Sequence, residues 1–305
     1  MIRVGPAGWS YPDSPGHVYP ADAPQKFDVL SYLTRFFDTV EINASFYAPQ
    51  PPRSYASWAR RVSANPRFRF TAKLWQRFTH GSAAYGRAAT PDAATFEPWS
   101  TAEVTEVTQG LAVLRDAGRL GAVLAQFPWS FRPSPASTER LTRLAEDFAG
   151  WPLVVELRHG AWASRDTSHL LKRLGLGFCN IDQPVIGESL GPTAGVTSAL
   201  GYVRLHGRNY ADWFGEQAER ESWRRYNYLY STAELAPWLE RIRTVAAAPG
   251  VGDVYVVANN HFQGQGPANA LMIRAMLEGR KVPVPPTLYA TYERSLADWG
   301  EPAEE

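Results

Sequence analysis

The feature that most restricts how this chain can fold is an alternation that repeats eight times along it. Short β-rich runs recur at 2–8, 38–43, 67–73, 120–127, 153–158, 176–182, 201–206 and 253–259. Helix-like stretches follow at 24–37, 51–65, 101–118, 137–149, 164–175, 231–248 and 267–279, whereas the Gly- and Pro-rich connection 183–200 offers only a poor helix. Strands joined through helices run parallel, because each crossover returns the chain to the same end of the sheet. Eight such units in 305 residues predict a single α/β barrel of the (β/α)8 TIM type, a fold that takes about 250 residues. A doubly wound open sheet would begin on a Gly-rich phosphate turn, and the first strand here ends Gly5-Pro6-Ala7-Gly8-Trp9 instead. The barrel is expected over 1–285. Residues 286–305 are expected to form a C-terminal extension, frayed at its acidic end.

Local signals support these boundaries. Ser231 and Glu234 have the spacing of a capping box, and Pro51 and Pro52 suit a first helical turn, where a missing N–H costs nothing. Gly118, Gly175 and Gly279 stand where helix ends call for a left-handed residue.

Composition narrows the function classes. A formal net charge of +1 provides no global field toward nucleic acid or an anionic membrane. Cys179, the single cysteine, excludes an intrachain disulfide and a cysteine metal cluster; its apolar surroundings predict a buried thiol. The start MIRVGPAGW lacks the pattern of a signal peptide. No apolar run approaches the ~18 residues of a membrane span. A cytoplasmic protein without a membrane partner is expected.

Residues i and i+2 of a strand point to the same side. Glu41 and Asn43, Glu156 and Arg158, and Arg204 and His206 therefore form three pairs at strand ends. Lys73, Gln126, Asp182, Asn259 and Asn260 end other strands, and Trp9 follows the first. These residues converge on the C-terminal mouth, where barrel active sites are built. Charges there are either ligand-facing or matched as buried pairs, since desolvating an unpaired charge is expensive. Two long connections border the mouth. One, 74–99, contains Thr79-His80; the other, 207–230, contains Arg208, Tyr210, Trp213, Phe214, Trp223, Arg224, Arg225, Tyr226, Tyr228 and Tyr230. The second is either a binding surface or a lid whose aromatics pack onto the barrel top.

Several short motifs recur in a distinctive order: Gly8-Trp9-Ser10-Tyr11, Tyr19-Pro20, Val40-Glu41-Ile42-Asn43 with Phe46-Tyr47, Lys73, Thr79-His80 and Gln126-Phe127-Pro128. Beyond them come Glu156-Leu157-Arg158-His159 with Trp162, Tyr202-Val203-Arg204-Leu205-His206-Gly207, and Asn259-Asn260-His261. In these the chain resembles the YecE-like family, a domain of unknown function (number 72), over nearly its full length. The resemblance implies a TIM-type barrel and supplies no reaction. Family members often carry a Trp before the Tyr-Pro, where this chain has Ser14-Pro15-Gly16-His17-Val18, and an aromatic where it has Val257-Ala258.

Three functional readings follow. The first is an enzyme acting by acid/base or hydrolytic chemistry on a small phosphate-, carboxylate- or sugar-bearing molecule. Its catalytic candidates are Glu41, Glu156, Asp182 and His206. Arg158 and Arg204 would hold an anion, a task for which the guanidinium fork is suited. Trp9, Asn43, Lys73, His80, Gln126, His159, Asn259 and Asn260 would complete the binding surface. No cofactor is expected. The second reading is a metal-assisted nuclease or isomerase, by analogy with endonuclease-IV-like and xylose-isomerase-like barrels; the absence of an H-x-H or H-E-x-x-H pair and the nearby cations oppose a divalent metal. The third is a non-catalytic binder of single-stranded nucleic acid or another anion. The near-zero net charge weighs against nucleic acid.

Overall fold

A computed structural model describes residues 1–80, 97–213 and 222–304. Eight strands form one parallel sheet: β1 (Ile2–Pro6), β2 (Thr39–Ile42), β3 (Arg69–Lys73), β4 (Leu120–Gln126), β5 (Leu153–Glu156), β6 (Gly177–Asp182), β7 (Leu200–Leu205) and β8 (Asp253–Ala258). Sequential strands are neighbours, and β1 pairs with β8. The last seam, between β1 and β2, is closed by a parallel bridge of Ala7 with Glu41 and a 2.8 Å bond from Gly8 N–H to the Glu41 carbonyl. Gly5 makes this approach possible, because a Cβ there would lie 1.9 Å from the Thr39 carbonyl oxygen. The chain is a (β/α)8 barrel.

Helices α1 (Val29–Leu33), α2 (Ala44–Tyr47), α3 (Pro52–Arg61), α4 (Thr101–Asp116), α5 (Pro135–Asp147), α6 (Arg165–Arg173), α7 (Thr232–Ala247) and α8 (Gln265–Glu278) surround it. Helix α1 is much shorter than the predicted 24–37. Asp28 caps it by accepting from Ser31 N–H and is itself held by Arg61, which fixes where the helix starts. The Ser231–Glu234 capping box forms at α7, and Gly118, Gly175 and Gly279 take φ of 65°, 68° and 66°. Segment 183–199 carries no helix. It crosses the barrel wall as irregular chain, tied by Leu190 N–H to the Arg158 carbonyl and by Gly195 to Asn180.

Buried side chains from the strands and helices form two adjoining apolar clusters. The second takes in the C-terminal residues. β9 (Val282–Val284) pairs in parallel with β10 (Gly300–Pro302), and α9 (Pro286–Thr291) and α10 (Glu293–Leu296) bury Leu288 and Leu296 between them. The sequence shows no strand pattern there, because three-residue strands are too short for alternation to register.

Candidate functional site

Inside the barrel, alternation along β7 places Tyr202, Arg204 and then His206 on one line facing the axis. Arg204 is the centre of the constellation, fully buried, as are Glu41 and Glu156. Its Nη2 donates to Glu41 Oε1 (2.7 Å), and its Nη1 donates to Glu156 Oε2 (2.5 Å) and to Gln126 Oε1 (3.3 Å). The second oxygen of Glu41 accepts from Tyr202 Oη (2.9 Å), which also bonds Thr71 Oγ1 (2.8 Å). The second oxygen of Glu156 accepts from Arg158 Nε (2.7 Å). Four strands are thereby cross-linked through one guanidinium. Burial by itself would push the Glu156 carboxyl upward, but Arg204 and then Arg158 outweigh it and hold the group well below the usual carboxylate range. Burial likewise disfavours the Arg204 charge, and Glu156 and Glu41 more than compensate. Glu156 and Arg204 therefore favour their charged forms.

Two further groups complete this floor. His206 Nε2 lies 3.4 Å from Glu156 Oε1 without the alignment of a hydrogen bond, and its Nδ1 meets the Asn259 amide at 3.0 Å. Burial, only partly opposed by Glu156, takes His206 down to about 3, so the ring is neutral at ordinary pH. Arg204 Nε is buried and has no hydrogen-bond partner among the described residues.

Above the floor stand Lys73, Arg158 and His80. Arg158 keeps 16% of its side-chain exposure; only its Nε is engaged, leaving both Nη groups without a protein partner among the described residues. Lys73 Nζ lies 3.8 Å from the centre of the Phe46 ring and has no carboxylate or hydrogen-bond partner among the described residues. Burial lowers this ammonium, Arg204 lowers it further, and Glu41 and Glu156 resist, so that it titrates at about 7. His80 packs edge-on against Phe46, with Nδ1 2.9 Å from Thr79 Oγ1, and is held neutral, down to about 3, by burial and then by Lys73. An aromatic flank adjoins them. Asn43 donates to Tyr11 Oη (3.0 Å), and the Tyr11 ring stacks on His261 at 4.2 Å, with Tyr226 on the same imidazole at 4.9 Å.

Other candidates are drawn elsewhere. Ile181 is the cross-strand neighbour of Arg204, so Asp182, one residue on, faces the helix layer. There Arg208 grips it with two bonds of 2.8 and 3.1 Å beside Tyr230. His159 caps a short helical turn by accepting from Ala161 N–H, with its Nε2 3.2 Å from Glu188. Asn260 donates to the Tyr228 carbonyl and to Asn269, bracing the 207–230 connection against α8. Trp9 packs edge-on against Trp58 of α3. In that connection, Trp223 stacks on Phe262 and Tyr228 meets Tyr230 edge-on; Phe214 lies outside the described residues, as does 81–96 of the connection carrying His80. Tyr202 and Thr71 join the network although the sequence did not single them out. Each stands two residues before a recognised candidate, Arg204 and Lys73, so the same alternation would have found them. Phe46 is on α2, and no periodicity links it to Lys73.

Among the described residues, no group of three or more His, Cys, Asp or Glu side chains is arranged to hold a metal ion. No described helix is long and apolar enough to cross a membrane.

The profile of a family described as a protein of unknown function, DUF72, matches residues 3–291. The chain belongs to the DUF72 family. This DUF72 chain is similar to the UPF0759 protein YunF of Bacillus subtilis, with 28% identity over 286 residues that cover 91% of the chain and 95% of YunF. It is also similar to the crystal structure of a DUF72 family protein from Thermotoga maritima, with TM-score 0.72, 30% identity, and coverage of 91% and 99% of the two chains. A DUF72 family protein from Enterococcus faecalis has the same fold at 24% identity and TM-score 0.75, covering 91% and 96%. The YecE-like resemblance read from the motifs is to this same family, and the barrel expected from the alternation is its fold.

Proposed function

We propose that the barrel mouth binds a small phosphate- or carboxylate-bearing molecule and performs acid/base chemistry on it. Arg158 is the anchor and Lys73 the group whose proton moves. The observation that carries this reading is the unequal partnering of the cations: Arg204 is engaged by Glu41 and Glu156, whereas Lys73 Nζ and the Arg158 Nη groups have no carboxylate partner among the described residues beyond the single Nε bond. Two carboxylates balance two guanidiniums, which leaves Lys73 as the excess positive charge. An anion in front of Arg158 would meet unoccupied donors in a fork geometry suited to its oxygens.

This reading moves the proton from Glu41 and Glu156 to Lys73. A carboxylate clamped between two guanidiniums is a poor base, while a group titrating at about 7 both accepts and returns a proton at neutral pH. Glu41 and Glu156 then orient Arg204, and the neutral His206 packs beside Glu156. Asp182, His159 and Asn260 take structural roles.

The test is calorimetry with orthophosphate, phosphoglycolate and acetate. The wild-type protein is expected to bind at least one of them, and R158M to bind it at least about tenfold more weakly, the loss of one charge-assisted bond. Binding of none, or equal binding by R158M, overturns the reading.

A further inference from the structure

We propose that Lys73 is a nucleophile that captures the carbonyl group of an anionic aldehyde or ketone as a Schiff base. The inference rests on the anion-binding reading and names the substrate class for the same site.

The chain contains four lysines (Lys26, Lys73, Lys172 and Lys281) among 31 basic residues, so arginine supplies nearly all of its positive charge. Lys26, Lys172 and Lys281 are exposed, and Lys73 alone is drawn inward, at the mouth end of β3. An arginine there would serve a purely electrostatic role as well or better, since it stays charged. What lysine adds is an amine with a lone pair. The surroundings favour that form: no carboxylate pairs with Nζ among the described residues, its nearest aromatic contact is the face of Phe46, and two guanidiniums belong to the same cluster. Desolvation beside other cations is how an amine is made nucleophilic at neutral pH. A lysine titrating at about 7 offers roughly a thousand times more free amine at pH 7 than an exposed one.

The reaction balances without a further reagent. The Nζ lone pair forms a bond to the carbonyl carbon, and the carbonyl oxygen takes one proton from the nitrogen and one from solvent. The C–O bond then breaks, and the oxygen leaves as water. The product is a protonated imine between Lys73 and the substrate carbon, whose positive charge draws electrons from the adjacent carbon. Arg158 holds the anionic end of the same molecule.

The experiment is reductive trapping with cyanoborohydride followed by peptide mass mapping across the four lysines. Pyruvate and glycolaldehyde phosphate serve as the carboxylate and phosphate arms, and acetone as the uncharged carbonyl. The expected result is a reduced adduct on Lys73 from at least one arm, at least about tenfold over each exposed lysine and over acetone, rising through pH 7 with the free amine. R158M retains the lysine and is expected to lose the preference for the charged probe. Adducts spread evenly over the lysines, or an acetone yield equal to both charged probes, overturn the proposal. If anions bind by calorimetry but no Lys73 adduct forms with either probe, the Schiff base fails while the binding reading stands.

Discussion

Replacing Arg204 by Met tests whether the barrel interior is held by an ionised network. Arg204 is fully buried, and it donates to two carboxylates that are themselves fully buried. Truncating one partner of a buried pair costs about 3–5 kcal/mol because the other charge is left uncompensated. Glu41 is then left without a cation and Glu156 with Arg158 alone, so the expected loss is about 3–5 kcal/mol, within reach of the whole stability of a domain, roughly 5–15 kcal/mol. The pH dependence separates this cause from lost packing. In the wild-type protein Glu156 has its folded value below its unfolded one, so its contribution is present above the unfolded value and disappears as pH falls through the folded value. In R204M a stranded carboxyl has its folded value above its unfolded one, so stability is regained as pH falls from 7 toward 5, by about 1.4 kcal/mol per pH step. Urea unfolding of both proteins at pH 5, 6 and 7 measures the difference. A loss under about 1 kcal/mol, or no recovery at pH 5, would refute the buried, ionised description.

Four further outcomes are expected. Gly5→Ala is to lower stability by at least about 1–3 kcal/mol in thermal unfolding, since its Cβ collides with the Thr39 carbonyl and prises open the β1–β2 seam. Tyr202→Phe is to cost about 1–3 kcal/mol in urea titration by removing the hydroxyl that Glu41 and Thr71 share. Asp182→Asn is to reduce stability by loosening Arg208 while anion affinity, measured by calorimetry, stays within about twofold; a large affinity loss would return Asp182 to the mouth. Anion affinity of the wild-type protein is to weaken as pH rises through about 7, where Lys73 loses its charge, and K73M is to abolish that dependence while Arg158 retains residual binding.

Much of the site was legible because strand alternation is a local rule. Once β7 is recognised, Arg204 and His206 must share a side, and so must Glu41 and Asn43 at the end of β2. The same rule went astray for Asp182, where the strand end is visible in the sequence but its phase relative to the barrel axis is not. Cross-strand register sets that phase: Ile181 pairs with Arg204, and Asp182 is turned out to Arg208. His159 and Asn260 illustrate a second limit. Polar residues just past a strand look alike in one dimension, and partners distant in the chain, Glu188 for His159 and the Tyr228 carbonyl for Asn260, become visible only in the folded structure.

The amino-acid order by itself determined the parallel barrel, its eight strands and the convergence of charges at one end, because periodicity and crossover geometry act over a few tens of residues. The tertiary structure alone decided which charges neutralise one another. Pairing depends on distances between residues as far apart as Glu41 and Arg204, and those distances exist only after the barrel closes. That closure leaves Arg204 balanced and Lys73 without a carboxylate partner among the described residues, the asymmetry on which the proposed chemistry of the mouth rests.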